Sequence, residues 1–239
     1  MRHGIPVIFG SMDVPSAIRS EAARRHSDLR LPERDFRGEA DGNGWRWRGR
    51  ERRLGGLVQP GLLGAFQVQN AAAVLALIES LKLSDMLSAA FVNDAWRNLT
   101  LRGRLQAIQH RDRHWLLDVA HNPDAARVLG ETMQGLQDER PVVGVFGVLA
   151  DKDIGGILRH LCPVIDCWIA VPAGSARAMS ARELAAKIAN TCNQPCRIAA
   201  SIAEGLDLAT ELSDDNDTIL VTGSFFTVGP ALQVLNPQA

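Results

Sequence analysis

The stretch Leu117-Asp118-Val119-Ala120-His121-Asn122-Pro123-Asp124-Ala125-Ala126 decides the reading of the fold. The residues before it, His114-Trp115-Leu116-Leu117, form an apolar run suited to a buried parallel strand. That run stops at a carboxylate and turns through a histidine. Asn122 is an N-cap residue, Pro123 fits a first helical turn, and Val128, Leu129 and Met133 continue a helical stripe. Asp118 and His121 are therefore predicted at the carboxyl end of a strand, where open α/β sheets bind their ligands. The adjoining helix N-terminus favours a phosphate or a carboxylate.

Working outward, the same alternation recurs. Strands are predicted at 105–109, 115–119, 142–146, 167–171, 197–200 and 218–221, and helices at 123–136, 154–162, 181–191 and 202–211. This alternation predicts an α/β domain with a mainly parallel, Rossmann-like sheet. Upstream the pattern is less regular. A strand is expected at 5–9 and a helix at 14–25 with Asp13 near its cap. Hairpin strands are expected over 29–36 and 45–57, turning near Gly49 with arginines alternating outward. Two helices follow, at 69–80 (Ala-rich, hence able to pack closely) and 84–98, and then a linker at 100–104. The predicted domains are 1–101 and 102–239. The first looks unfinished, because its few strands could not bury both faces of a sheet.

Bulk properties exclude several classes. The 239 residues are 46% hydrophobic and 22% charged, ordinary for a soluble globular chain, and the net charge of −1 gives no general attraction to nucleic acid or anionic membrane. Residues 1–103 carry 15 basic and 11 acidic side chains, the remainder 11 and 16. No apolar stretch approaches the roughly 18 residues of a spanning helix, and the start is too short and interrupted for a signal peptide. A cytoplasmic location is the expectation. Cys162, Cys167, Cys192 and Cys196 form no Cys-x-x-Cys pair, so no metal site or disulfide is expected; Cys162 and Cys167 read as small buried hydrophobes. The run Arg46-Trp47-Arg48-Gly49-Arg50-Glu51-Arg52-Arg53 has the basic and aromatic interleaving of a nucleic-acid site, but hairpin alternation accounts for it as a solvated face.

Four segments in one order resemble the folylpolyglutamate synthase and dihydrofolate synthase family of the Mur-ligase-like superfamily. They are the opening stretch, Gly64-Ala65-Phe66-Gln67-Val68-Gln69-Asn70-Ala71-Ala72-Ala73, Arg102-Gly103-Arg104-Leu105-Gln106, and Val221-Thr222-Gly223-Ser224-Phe225-Phe226-Thr227-Val228. Arg102 stands where the family usually has proline. The resemblance implies the tail of a central ATPase-like domain followed by a Rossmann-like ligase domain. It also implies ATP-dependent addition of L-glutamate to a dihydropteroate or folate carboxylate through an acyl phosphate. ATP phosphates need a P-loop, and the sequence has no Gly-Lys dipeptide. The expectation is that the P-loop and the Mg2+ ligands belong upstream, that no metal ligand lies in this chain, and that the chain alone is inactive. The partners implied are small molecules (ATP, L-glutamate and a pteroate or folate), with no nucleic acid or membrane, and a monomer or a missing N-terminal half. A peptidoglycan Mur-type ligase and a non-catalytic half of a split protein are the alternative readings. The absence of tyrosine disfavours the former, whose signature carries one.

The resemblance also assigns roles. Asn70, at a helix start, would contact adenine, and Arg104, in the linker, would hold phosphate with its planar fork. Asp118 would bind ATP through a ribose or a cation's water shell. His121 would orient the glutamate or a phosphate oxygen, and is with Arg104 a catalytic candidate. Ser224 would bind the glutamate carboxylate. Lys152 and Asp153, in the Asp-Lys-Asp after the strand at 142–146, are further candidates; Lys152 is one of three lysines.

Overall fold

The computed structural model describes residues 1–62, 64, 66–97, 99–136, 140–215 and 217–236, and the chain divides into two compact units, Met1–Thr100 and Leu101–Ala239.

In the first unit, β1 (Pro6–Ile8) and β2 (Asp28–Arg30) pair in parallel and flank α1 (Ser16–Arg24). The helix starts at Ser16, two residues later than predicted, with Pro15 and not Asp13 at its cap. Proline's fixed φ suits a helix entry. The predicted strand over 29–36 is mostly loop: the hairpin partner is instead β3 (Arg37–Asp41), which joins β4 (Gly44–Arg48) and β5 (Arg53–Leu57) in an antiparallel sheet of order β3-β4-β5. Alternation holds on β4. Trp45 and Trp47 are buried and their indole N–H groups donate to the carbonyls of Val58 and Ala72, while Arg46 and Arg48 face solvent. Helix α2 (Phe66–Ser80) begins three residues earlier than predicted and lays Ala71, Ala72, Leu75 and Ala76 into this core. The predicted second helix is broken into a 3-10 turn, Ser84–Met86, and α3 (Ala89–Arg97); Asn98, its predicted end, lies outside the described residues.

One buried carboxylate organises the β4–β5 turn. Glu79 on α2 has a side chain only 4% exposed. Its Oε1 accepts from the N–H groups of Glu51 and Arg52, and its Oε2 from the N–H of Arg50 and the Arg30 guanidinium. A carboxylate is a strong acceptor, so it can satisfy three turn amides that would otherwise be orphaned.

The second unit is a six-stranded sheet of order β10-β9-β8-β11-β7-β6. Its elements are β6 (Gln106–His110), β7 (Arg113–Asp118), α4 (Pro123–Leu136), β8 (Val142–Phe146), α5 (Ile154–Leu161), β9 (Cys167–Ala170), α6 (Ala181–Thr191), β10 (Cys196–Ile198), α7 (Ile202–Leu212), β11 (Thr218–Thr222) and α8 (Phe225–Leu235). All neighbours pair in parallel except the β6–β7 hairpin. Successive strand residues feed opposite faces. Leu220, Val142 and Phe146 pack with α4, α5 and α6, while Val221, Val143 and Val145 pack with α7 and α8. Strand β11, last in sequence, inserts between β7 and β8, and α4 crosses from one to the other. The mainly parallel Rossmann-like sheet expected from sequence is present.

The cysteine expectation is overturned. Cys162 and Cys192 form a disulfide, with Cα atoms 5.5 Å apart, while Cys167 and Cys196 are free. The ends of α5 and α6 converge in the tertiary fold, and a separation of 30 residues gives no local sign of that.

Two measurements check this description. Glu79→Ala should lower the stability of the chain to urea by about 3 kcal/mol, the order expected when a buried charged partner is removed; an unchanged midpoint would show that the turn satisfies its amides otherwise. Alkylation of the denatured, unreduced protein should label two thiols, rising to four after reduction.

Candidate functional site

The site is built on the second unit, at the carboxyl edge of β7, β11 and β8. Register brings Asp118, Thr222 and Phe146 abreast. The segment 101–106 folds back onto this edge. The Val119 N–H donates to the Gly103 carbonyl at 2.9 Å, and the Gly103 N–H donates to Gln106 Oε1 at 3.0 Å. Gly103 has φ +66°, and a Cβ there would stand 2.9 Å from Val119, so glycine is required by both backbone and space.

Asp118 joins the two halves of this corner. Its Oδ2 accepts from the Leu105 N–H at 2.9 Å and its Oδ1 from the Ala120 N–H at 2.8 Å. Leu105 adopts φ +43°, uncommon for a branched residue, and this bond holds it there. Burial pushes the Asp118 carboxyl above its ordinary value, while the two amide bonds and the nearby Arg104 and His121 pull in the other direction. The sequence assigned Asp118 a ligand; the structure first gives it a positioning task.

Arg104 and His121 then meet on one ring. The Arg104 guanidinium lies 5.9 Å from the Phe225 ring centroid, and the His121 ring is 6.1 Å from it. Arg104 is exposed, and among the described residues no carboxylate stands within salt-bridge distance of it. His121 Nδ1 is 2.9 Å from the Val119 carbonyl, so Nδ1 carries the proton and Nε2 is free to face a ligand. Phe225 was quoted within the closing motif but given no role. An aromatic residue directly after a Gly-Ser cap is the only local signal for it, and it is the structure that leaves the ring 57% exposed.

Ser224 caps α8. Its Oγ accepts from the Phe226 N–H at 3.1 Å and is buried. The preceding turn is locked by Gly223 (φ +109°), where a Cβ would stand 2.4 Å from the Gly147 carbonyl, and by Thr227, whose hydroxyl donates to that carbonyl. Asn122 caps α4 through the Ala125 N–H. Asp153 likewise caps α5 through the Gly156 N–H, and Lys152 stands 3.6 Å from Asp151. Asn70 belongs to the first unit. It sits one turn inside α2, not at its start, is exposed, and donates to Gln67 Oε1 at 3.2 Å. Gly64, before that helix, has φ +110°; Ala65 lies outside the described residues. Among the described residues no three His, Cys, Asp or Glu side chains form a metal cluster.

A mainly parallel sheet with a guanidinium, an imidazole and three capped helix N-termini at its carboxyl edge has the chemistry that suits anionic ligands. The family model described as Mur ligase, glutamate ligase domain, matches residues 103–225. This chain belongs to that family, and within it to the folylpolyglutamate synthase/dihydrofolate synthase branch. It is 31% identical to the dihydrofolate synthase/folylpolyglutamate synthase of Haemophilus influenzae over 95% of its length and 55% of the relative's. The structure of E. coli FolC in complex with DHPP and ADP superposes with a TM-score of 0.88 at 29% identity, over 99% of this chain and 54% of that one. A bifunctional folylpolyglutamate synthase/dihydrofolate synthase with Mn, AMPPNP and L-glutamate bound gives 0.84 at 30% identity, over 98% and 54%. The chain thus spans about half the length of the curated relatives it matches.

The Asp118 clasp is testable by titration. Its carboxyl should titrate above 3.8 in carbon-detected NMR. A raised folded pKa means that its contribution to stability is full below the unfolded value and is lost as pH rises through the folded one. Asp118→Asn should remove that pH dependence and cost about 1–3 kcal/mol at neutral pH, because the new amide NH2 faces a backbone N–H it cannot accept.

Proposed function

We infer that this chain is the C-terminal part of an ATP-dependent ligase that joins L-glutamate to the carboxylate of a dihydropteroate or folate through an acyl phosphate. The observation that carries the reading is the meeting of Arg104 and His121 on Phe225, beside the α4 N-terminus, in a member of this family. In this reading an acceptor carboxylate oxygen takes the γ-phosphoryl group and ADP leaves. The glutamate amine attacks the acyl carbon, phosphate leaves, the amide forms, and the amine's surplus protons pass to solvent.

Each residue then has a physical task. Arg104 is the cation that this chain offers to the transferring phosphoryl, and no carboxylate among the described residues pairs with it. Asp118 fixes the Leu105 and Ala120 amides, which sets the positions of Arg104 and His121 on either side of it. His121 Nε2, with Nδ1 occupied, accepts from the glutamate ammonium when neutral and donates to a carboxylate when charged. The Ser224 hydroxyl proton and the α8 N-terminus suit the glutamate carboxylate, Asn70 an adenine edge, and Lys152 a phosphate. Asp153 is committed to its cap. The described residues provide no cage for the divalent cation such chemistry uses.

The first unit reads as part of a larger central domain. Val74 and Leu77 on α2 and Leu81 just beyond it are 45%, 41% and 54% exposed, an apolar helical stripe that water does not favour. By family resemblance the protein reads as cytoplasmic, and as a monomer or a chain completed by an N-terminal half. Among the described residues no helix is long and apolar enough to cross a membrane.

Joining this chain to the N-terminal half of the E. coli relative should give ADP release that requires both glutamate and a pteroate or folate, while the chain alone gives none. In that fusion Arg104→Ala should cut turnover by about 10²-fold or more with the melting temperature unchanged. Equal losses of stability and turnover would reduce Arg104 to a structural part.

A further inference from the structure

The outer face of the sheet β3-β4-β5 carries an arrangement that the ligase chemistry does not use. Register places Arg37 directly opposite Arg48, and Arg48 directly opposite Arg53. Three guanidinium side chains thus stand in one row across three adjacent strands, which spans about 10 Å at the usual strand spacing. Like charges directly opposite each other destabilise a sheet, and Arg46, two residues from Arg48 on the same face, adds a fourth. Two carboxylates stand among them: Glu33 pairs with Arg37 at 3.2 Å, and Glu39 is shared by Arg37 and Arg46 at 2.8 Å each. Among the described residues Arg48 and Arg53 form no ion pair, and both are exposed.

The row borders a groove of about 390 Å³ lined by Arg37, Glu39, Arg46, Arg48, Arg53 and Gly55 together with parts of Trp47 and Leu54. Its floor is bare at Gly55, where a Cβ would meet nothing within 4 Å. Gly55 has no positive φ, so the backbone there does not demand glycine; its effect is to keep the groove open.

We propose that this groove binds a compact oligophosphate, inorganic or borne by a nucleotide, on the Arg37–Arg48–Arg53 row. Guanidinium forks match phosphate oxygens in paired fashion. Arg48 and Arg53, adjacent in the row and without an ion pair among the described residues, call for dense negative charge on the occupant beside the carboxylate-held Arg37. A peptide carboxylate chain spreads its charge over more length. Single-stranded nucleic acid would want exposed aromatic rings for its bases, and Trp45 and Trp47 are both buried on the opposite face. The site lies in the first unit and does not depend on the ligase reading.

Calorimetric titration of the 239-residue chain with tripolyphosphate tests the proposal. Binding should weaken tenfold or more in the double variant Arg48→Gln/Arg53→Gln, and likewise in Gly55→Val, which fills the groove without changing charge. It should persist in Arg104→Ala, which removes the other candidate anion site. Circular dichroism melts of the variants should match the parent, since all three positions are exposed. ATP binding as tightly as tripolyphosphate supports a site for the phosphate chain alone, and ATP binding more tightly supports a nucleotide, provided both respond to the two groove variants. Tripolyphosphate binding that is absent, or unmoved by those variants, overturns the proposal. So does tighter groove-dependent binding of tri-γ-glutamate or of a single-stranded RNA.

Discussion

The second unit depends on one carboxylate holding two amides. Asp118 ends the strand β7, and its two oxygens reach in opposite chain directions, to Leu105 before it and Ala120 after it. That clasp holds the positive φ of Leu105 and adds to the Val119–Gly103 and His121–Val119 bonds that fix the turn through His121. The cost is a carboxylate drawn partly out of water, which its raised pKa records. The gain is that two side chains from separate segments, Arg104 and His121, are delivered to one place.

Glycines and caps complete the edge. Gly103 lets segment 101–106 approach Val119, and Gly223 lets the β11–α8 turn approach Gly147. In both cases a side chain would collide with packed atoms, so the close approach and the glycine are one constraint. Asn122, Asp153 and Ser224 each satisfy a helix N-terminus, leaving those ends oriented at the carboxyl edge of the sheet. The first unit uses charge the same way. Glu79 is spent inside on the β4–β5 turn, and the arginines that alternate with the buried tryptophans are left outside without enough carboxylates to neutralise them.

The regular α/β half was legible because its elements advertise themselves locally. Apolar runs such as Val142–Phe146 and the capped stripe Pro123–Leu136 stand where periodicity placed them. The first unit was less legible, since β2 and β3 are short and polar and the strand over 29–36 had no clear alternation to fix its ends. Of the candidate residues, Arg104, Asp118, His121 and Ser224 lie on or just beyond one sheet edge. Asn70 belongs to the other unit, and Asp153 proves to be a cap.

Local chemistry therefore determined the strand–turn–helix at Asp118, the order of β and α elements, and the motifs that mark the family. Those depend on neighbours in the chain, and the sequence contains its neighbours. Tertiary structure alone decided that β11 inserts between β7 and β8, that Cys162 meets Cys192, that Arg104 and His121 both approach the Phe225 ring, and that three arginines share one row. These are contacts between distant segments, set by which apolar faces bury each other, and no short window of sequence holds both partners.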